Sequence, residues 1–147
     1  MPKKIAKSRR PQAERAAEWV LREVFGCVAT RRALRTTYAK VDFFACDVIG
    51  VQPDGRRIWV QVTAGQLSAV TARRKKIEKY PWHDSDKVYV WQLVERPDPA
   101  SPARKEWFFR PWEYSIHPCP PRHWWKIDKA IPVKREWFKA YKEPADA

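Results

Sequence analysis

Asp47 opens the apolar run Val48-Ile49-Gly50-Val51, and a carboxamide, Gln61, sits midway along Trp59-Val60-Gln61-Val62-Thr63. Between the two runs lies Gln52-Pro53-Asp54-Gly55. Pro presets φ and Gly accepts positive φ, so the runs, Val41–Val51 and Arg57–Thr63, read as the arms of a β-hairpin. Strand alternation puts Gln61 and Thr63 on one face with Trp59. Polar side chains set among Ile58, Val60 and Val62 need a partner or a purpose. A carboxylate and a carboxamide oxygen can both coordinate Mg²⁺, although the carboxamide adds no charge. Asp42 reads as a turn or capping residue; its odd spacing from Asp47 sends the two side chains to opposite faces of a regular strand.

The elements that must position these groups follow from periodicity. A helix is expected from about Gln12 to Phe25, with Pro11 in its first turn and Gly26 at its stop. Ala13, Ala16, Ala17, Val20, Leu21 and Val24 form its apolar face. Glu14 lies on the shoulder of that face, and Glu18 one turn later, further toward solvent. A short apolar stretch, Cys27–Ala29, leads into the basic run Arg31, Arg32 and Arg35. After the hairpin, Gly65 breaks the strand and a second helix runs from about Ser68, a plausible N-cap, to Tyr80, ended by Pro81. Val70 and Ile77 mark its apolar face; Arg73, Arg74, Lys75, Lys76 and Lys79 mark the other. Val88–Val94 is continuously apolar, as in a central strand covered on both faces. A Pro-rich connector, Pro97–Pro102, precedes a further strand at Trp107-Phe108-Phe109. The stretch from His117 to Lys142 is aromatic and basic, with a helix near Val133–Tyr141. This order argues for an α/β sandwich around a mixed sheet.

The hairpin and the run Ala72-Arg73-Arg74-Lys75-Lys76-Ile77-Glu78 behind it resemble the PD-(D/E)xK nuclease superfamily. Within it the likeness is greatest to archaeal-type Holliday junction resolvases and related phage or mobile-element nucleases. It covers about Gln12 to Val94. It implies a restriction-endonuclease-like α/β/α sandwich and metal-dependent hydrolysis of DNA phosphodiesters with Mg²⁺ or Mn²⁺. It also implies that Glu14 stands for the helix Glu, Asp47 for the strand Asp and Gln61-Val62-Thr63 for Glu-x-Lys. Asp47 would then be the principal ligand, Gln61 and the Val62 carbonyl would complete the shell, and Glu14 would position water or a second ion. Thr63 replaces the Lys, and Lys76 or Lys75 would substitute from the second helix. Arg31, Arg32, Arg35, Arg73, Arg74 and Lys79 would meet DNA, and relatives that act on a two-fold symmetric junction imply a homodimer. The departures, Gln for an acid and Thr for Lys, support a second expectation, an inactive nuclease fold kept as a DNA-binding module.

Bulk properties agree with a polyanionic partner. Lys and Arg number 30 against 17 Asp and Glu, a formal charge of +13 on 147 residues. Nucleic acid leads, with RNA a lesser alternative to DNA and no long amphipathic helix for a membrane surface. Residues 1–11 read as a basic flexible arm or solubilising tail. Residues 12–147 read as a single nuclease-like domain with an aromatic, basic extension from about 97. Neither a signal peptide nor a membrane span is read, so a reducing cytoplasm is expected. Cys27 and Cys46 read as core residues, and Cys119 with His123 makes too few ligands for zinc. Simpler readings stand beside each assignment: Glu14 as a first-turn acid, Gln61 and Thr63 as satisfied core polars, the basic helix face as solvated, and Trp107, Trp112, Trp124, Trp125 and Trp137 as core or interface rather than base-stacking groups.

Overall fold

The structure is a computed structural model that describes residues 9–35, 40–41, 43–116 and 123–139, with side chains over 12–33, 43–116 and 123–139. Asp42, Cys119 and the N-terminal arm to Ser8 lie outside the described residues, as does the side chain of Arg35.

Helix α1 spans Arg9–Glu23. Its Ala13, Ala16, Ala17, Val20 and Leu21, at helical spacing, are all buried. Val24, expected on the same face, is exposed, because the helix has ended before it. The chain turns through Gly26 at φ 71°, and the Cys27 N–H returns to the Leu21 carbonyl at 2.9 Å.

The following strands are β1 Ala29–Arg32, β2 Leu34–Arg35, β3 Lys40–Val41, β4 Val48–Val51 and β5 Arg57–Thr63. After them come α2 Leu67–Ile77, β6 Lys87–Asp98, β7 Ser101–Ser115, β8 His123–Lys126, β9 Ile131–Val133 and a 3₁₀ turn at Arg135–Phe138. The main sheet runs β1-β4-β5-β6-β7-β8, with β9 also on β7, while β2 and β3 pair separately. Among the described strands only β5 and β6 pair in parallel, joined through α2, so the fold is α/β with a mixed sheet. One face carries Val48, Ile58, Val60, Val62 and Trp91 against α1. The other carries Trp59, Val88 and Val90 against Val70 and Ile77 of α2. No helix among the described residues is long and apolar enough to cross a membrane.

Several elements differ from expectation. The basic run at Arg31 and Arg32 is an edge strand, because Val48–Val51 offers it a ladder. The strand expected from Val41 is broken: Phe43 and Cys46 pair across a two-residue turn, and the regular ladder begins only near Asp47. Helix α2 starts at Leu67 after Gln66, without a side-chain cap from Ser68. Pro97–Pro102 is no connector but the tip of a long hairpin, since β6 and β7 stay in register from Val88↔Tyr114 to Pro97↔Lys105. The expected C-terminal helix is only the short 3₁₀ turn, which seats Trp137 and Phe138 in the α1-side core. Cys27 and Cys46 are buried and in no disulfide, and burial pushes the Cys27 thiol up to about 11.

The close seating of α1 depends on Gly50. A Cβ there would stand 2.7 Å from Cys27 Sγ and 3.2 Å from Leu21 Cδ1. Gly50→Ala is expected to destabilise the chain by about 1–3 kcal/mol through overpacking, read as a lower urea midpoint. An unchanged midpoint would mean that α1 does not press on β4 there.

Candidate functional site

The site forms where β4 and β5 part. Asp47 extends the ladder one residue beyond β4: its N–H donates to the Val60 carbonyl at 2.8 Å, and its carbonyl accepts from Ala33 N–H at 2.7 Å. The Val60 carbonyl therefore faces β4, and so does the peptide of Val62 two residues on. By then the chain has turned away toward Cys46 and has no backbone acceptor to offer. The Asp47 side chain fills that place: the Val62 N–H donates to Oδ2 at 2.9 Å.

Gln61 is the next partner. With its amide assigned so that each polar atom meets its complement, Nε2 donates to Asp47 Oδ2 at 2.8 Å and also to the Ala45 carbonyl. Its Oε1 accepts from Arg73 Nη1 at 2.5 Å. A chain of anion, amide and cation thus links β4, β5 and α2. Its centre is closed to solvent, Asp47 being 0% and Gln61 3% exposed. Burying a lone carboxylate would be costly; donors on its oxygen and a guanidinium one amide away offset that cost.

Thr63 is buried too, and its hydroxyl accepts from the Gly65 N–H at 3.1 Å, shaping the exit from β5. Gln92, which the sequence pattern does not single out, sits opposite Thr63 and donates to the Gly65 carbonyl at 3.1 Å. Its only signal in the sequence is a carboxamide inside an apolar strand.

The cation from α2 is Arg73. It lies three residues after buried Val70 and four before buried Ile77, so helical spacing already places it on the inner side. Lys75 and Lys76 are exposed, with no hydrogen bond or ion pair among the described residues, and Lys79 is exposed as well. Arg74 stacks between the rings of Trp112 and Trp124, 5.5 and 5.2 Å from their centroids. Arg31 is exposed, while Arg32 pairs with Glu18 at 3.4 Å.

Glu18, expected nearer solvent, is buried and accepts from the Thr30 hydroxyl at 2.7 Å. Arg22, one turn later, bonds Thr30 and the Val28 carbonyl. Helix α1 therefore runs antiparallel to β1. That direction puts buried Glu14 at the Ala33–Asp47 end of the sheet, on the α1 side, while Gln61, Thr63 and Trp59 share the α2 side.

The turn before Asp47 is strained. Phe44 and Ala45 have φ of 50° and 68°. Left-handed backbone costs a side-chain-bearing residue roughly 1–2 kcal/mol. The bond from Gln61 to the Ala45 carbonyl ties this turn to the network.

These groups do not fit a resident divalent cation as they stand. The cluster of Asp47, Gln61 and Arg73 holds one carboxylate and one permanent cation. Asp47 Oδ2 already accepts two N–H groups, and the amide oxygen is taken by the guanidinium. Mg²⁺ binding draws on carboxylates and further oxygens, and here the amide would have to turn over and Arg73 withdraw.

Arg73→Ala leaves the Gln61 oxygen without its donor in a closed site. It is expected to lower stability by about 1–3 kcal/mol in urea unfolding. Lys76→Ala should stay within about 0.5 kcal/mol, as for an unengaged surface residue. Equal effects would refute the assignment of Arg73 as the inward cation. Comparison with known protein families, with curated proteins and with solved structures finds no match to this chain.

Proposed function

We propose that this chain is a DNA-binding protein built on a restriction-endonuclease-like α/β/α core whose metal position is closed by the Asp47–Gln61–Arg73 network. The carrying observation is that network. The acid and carboxamide of the nuclease-like hairpin are drawn together, yet they bond to each other and to a guanidinium instead of presenting open oxygens. The placement of α1 and α2 on opposite faces of a mixed sheet supports the proposed architecture. DNA as the partner is supported by the charge of +13 and by Arg31, Lys75, Lys76 and Lys79, which stand in solvent. Phosphate oxygens are the groups that such cations hold, through release of condensed counterions.

A second reading, a Mg²⁺- or Mn²⁺-dependent endonuclease, is favoured by one observation: Asp47, Gln61 and the Val62 peptide gather where the strands part, with Glu14 at the same end of the sheet.

Binding to duplex and branched DNA, followed against salt with and without Mg²⁺, tests both. The first reading expects log K to fall with log salt by about 0.9 per phosphate neutralised. Lys75→Ala, Lys76→Ala and Lys79→Ala together should flatten that slope by about one for each phosphate left without its cation. Neither divalent ion should cause cleavage, and Asp47→Asn should bind DNA like the wild-type chain. Cleavage that needs the metal and disappears in Asp47→Asn would establish the second reading instead. Absence of salt-sensitive DNA binding would reject the first.

A further inference from the structure

Phe44 sits at the tip of the tight turn that immediately precedes the site. The Phe43 N–H donates to the Cys46 carbonyl at 2.8 Å, and the Cys46 N–H returns to the Phe43 carbonyl at 2.9 Å. The turn thus contains only Phe44 and Ala45, both at positive φ. Two-residue turns of this kind ordinarily use Asn-Gly or Asp-Gly, which accept that backbone freely. An aromatic residue here is held against its own preference.

The ring is also turned outward. Phe44 is 57% exposed, one of the few large apolar side chains in solvent among the described residues. It packs edge-to-face with Trp59 and Tyr80, with centroids 5.7 and 5.6 Å away. Trp82 continues that cluster behind Trp59 at 5.4 Å. The ring is therefore braced from beneath, and the Ala45 carbonyl beside it is pinned by Gln61. Tyr80 directly follows Lys79, so the braced ring stands beside the cationic end of α2, where Lys76 and Lys79 are exposed.

We propose that Phe44 is a stacking platform for an unpaired base of bound DNA, with phosphates of the same strand held by Lys76 and Lys79. This rests on the DNA-binding reading above. The chemistry follows from the pairing of an exposed, rigid π-face with adjacent ammonium groups, a combination that holds single-stranded or unstacked nucleotides. A base inside a paired duplex offers no free face, so the feature selects DNA with an unpaired nucleotide, as at a bulge or a branch.

The test uses the full chain and two DNA probes: a duplex with 2-aminopurine in a single-base bulge, and the same duplex with 2-aminopurine paired. The wild-type chain should quench the bulged probe on binding and prefer it over the paired one. Phe44→Ala should lose the quench and weaken bulge binding by roughly ten- to hundredfold while leaving duplex affinity unchanged. Phe44→Trp should keep both properties, and Phe44→Leu, apolar but without a π-face, should lose the quench. Unchanged quenching in Phe44→Ala would overturn the proposal, as would equal wild-type affinity for the two probes. Failure of the wild-type chain to bind either probe would remove the DNA-binding reading as well, so the two failures are distinguishable.

Discussion

One buried carboxylate completes the ladder that its own strand abandons. The Val62 N–H faces β4 at a point where β4 has already turned away, and Asp47 Oδ2 takes the place of the missing carbonyl. An unpaired N–H there would leave the C-terminal end of β5 with an uncompensated polar group in a site closed to water. The same oxygen fixes the Gln61 amide, which fixes Arg73 of α2 and the Ala45 carbonyl of the preceding turn. Three segments of the chain, the turn that ends at Asp47, strand β5 and helix α2, are thereby tied together through one side chain.

Gln at position 61 is chemically consistent with that role. A carboxylate in its place would bring a second anion to within about 3 Å of Asp47 Oδ2, given the present 2.8 Å separation. Two anions at that distance call for a cation or a shared proton between them. The carboxamide supplies a donor instead, and its oxygen hands the remaining acceptor capacity to Arg73. The carboxamide lets the position be satisfied by protein groups alone, with no second anion to neutralise.

The hairpin was legible because its signals are local: alternation on both arms and Pro-Asp-Gly between them, with Gly55 at φ 86°. Helix α1 was legible for the same reason. Strand β1 was not, because Thr30, Arg31 and Arg32 look solvated until Glu18 and Arg22 of α1 are seen to bond Thr30. The turn at Phe44-Ala45 was not, because neither residue carries the chemistry that such a turn prefers. The outer half of the β6–β7 hairpin was hidden by its prolines and charges, since its pairing is decided by a partner strand rather than by its own pattern. Within the site, the hairpin residues were found by type and spacing. The family resemblance points to Lys75 or Lys76 for the cation, whereas the period of α2 points to Arg73.

The long β6–β7 hairpin also decides whether the central strand has an open edge. Val88 to Val94 are buried on both faces and hydrogen-bonded along one side by β7. A chain ending near Pro97 would present those seven residues as an open, flat, apolar edge, the geometry that recruits strands from other molecules into aggregates. Strand β7 therefore covers an edge of β6 that would otherwise stand open. Its sequence can drift only as far as its pairing with β6 persists.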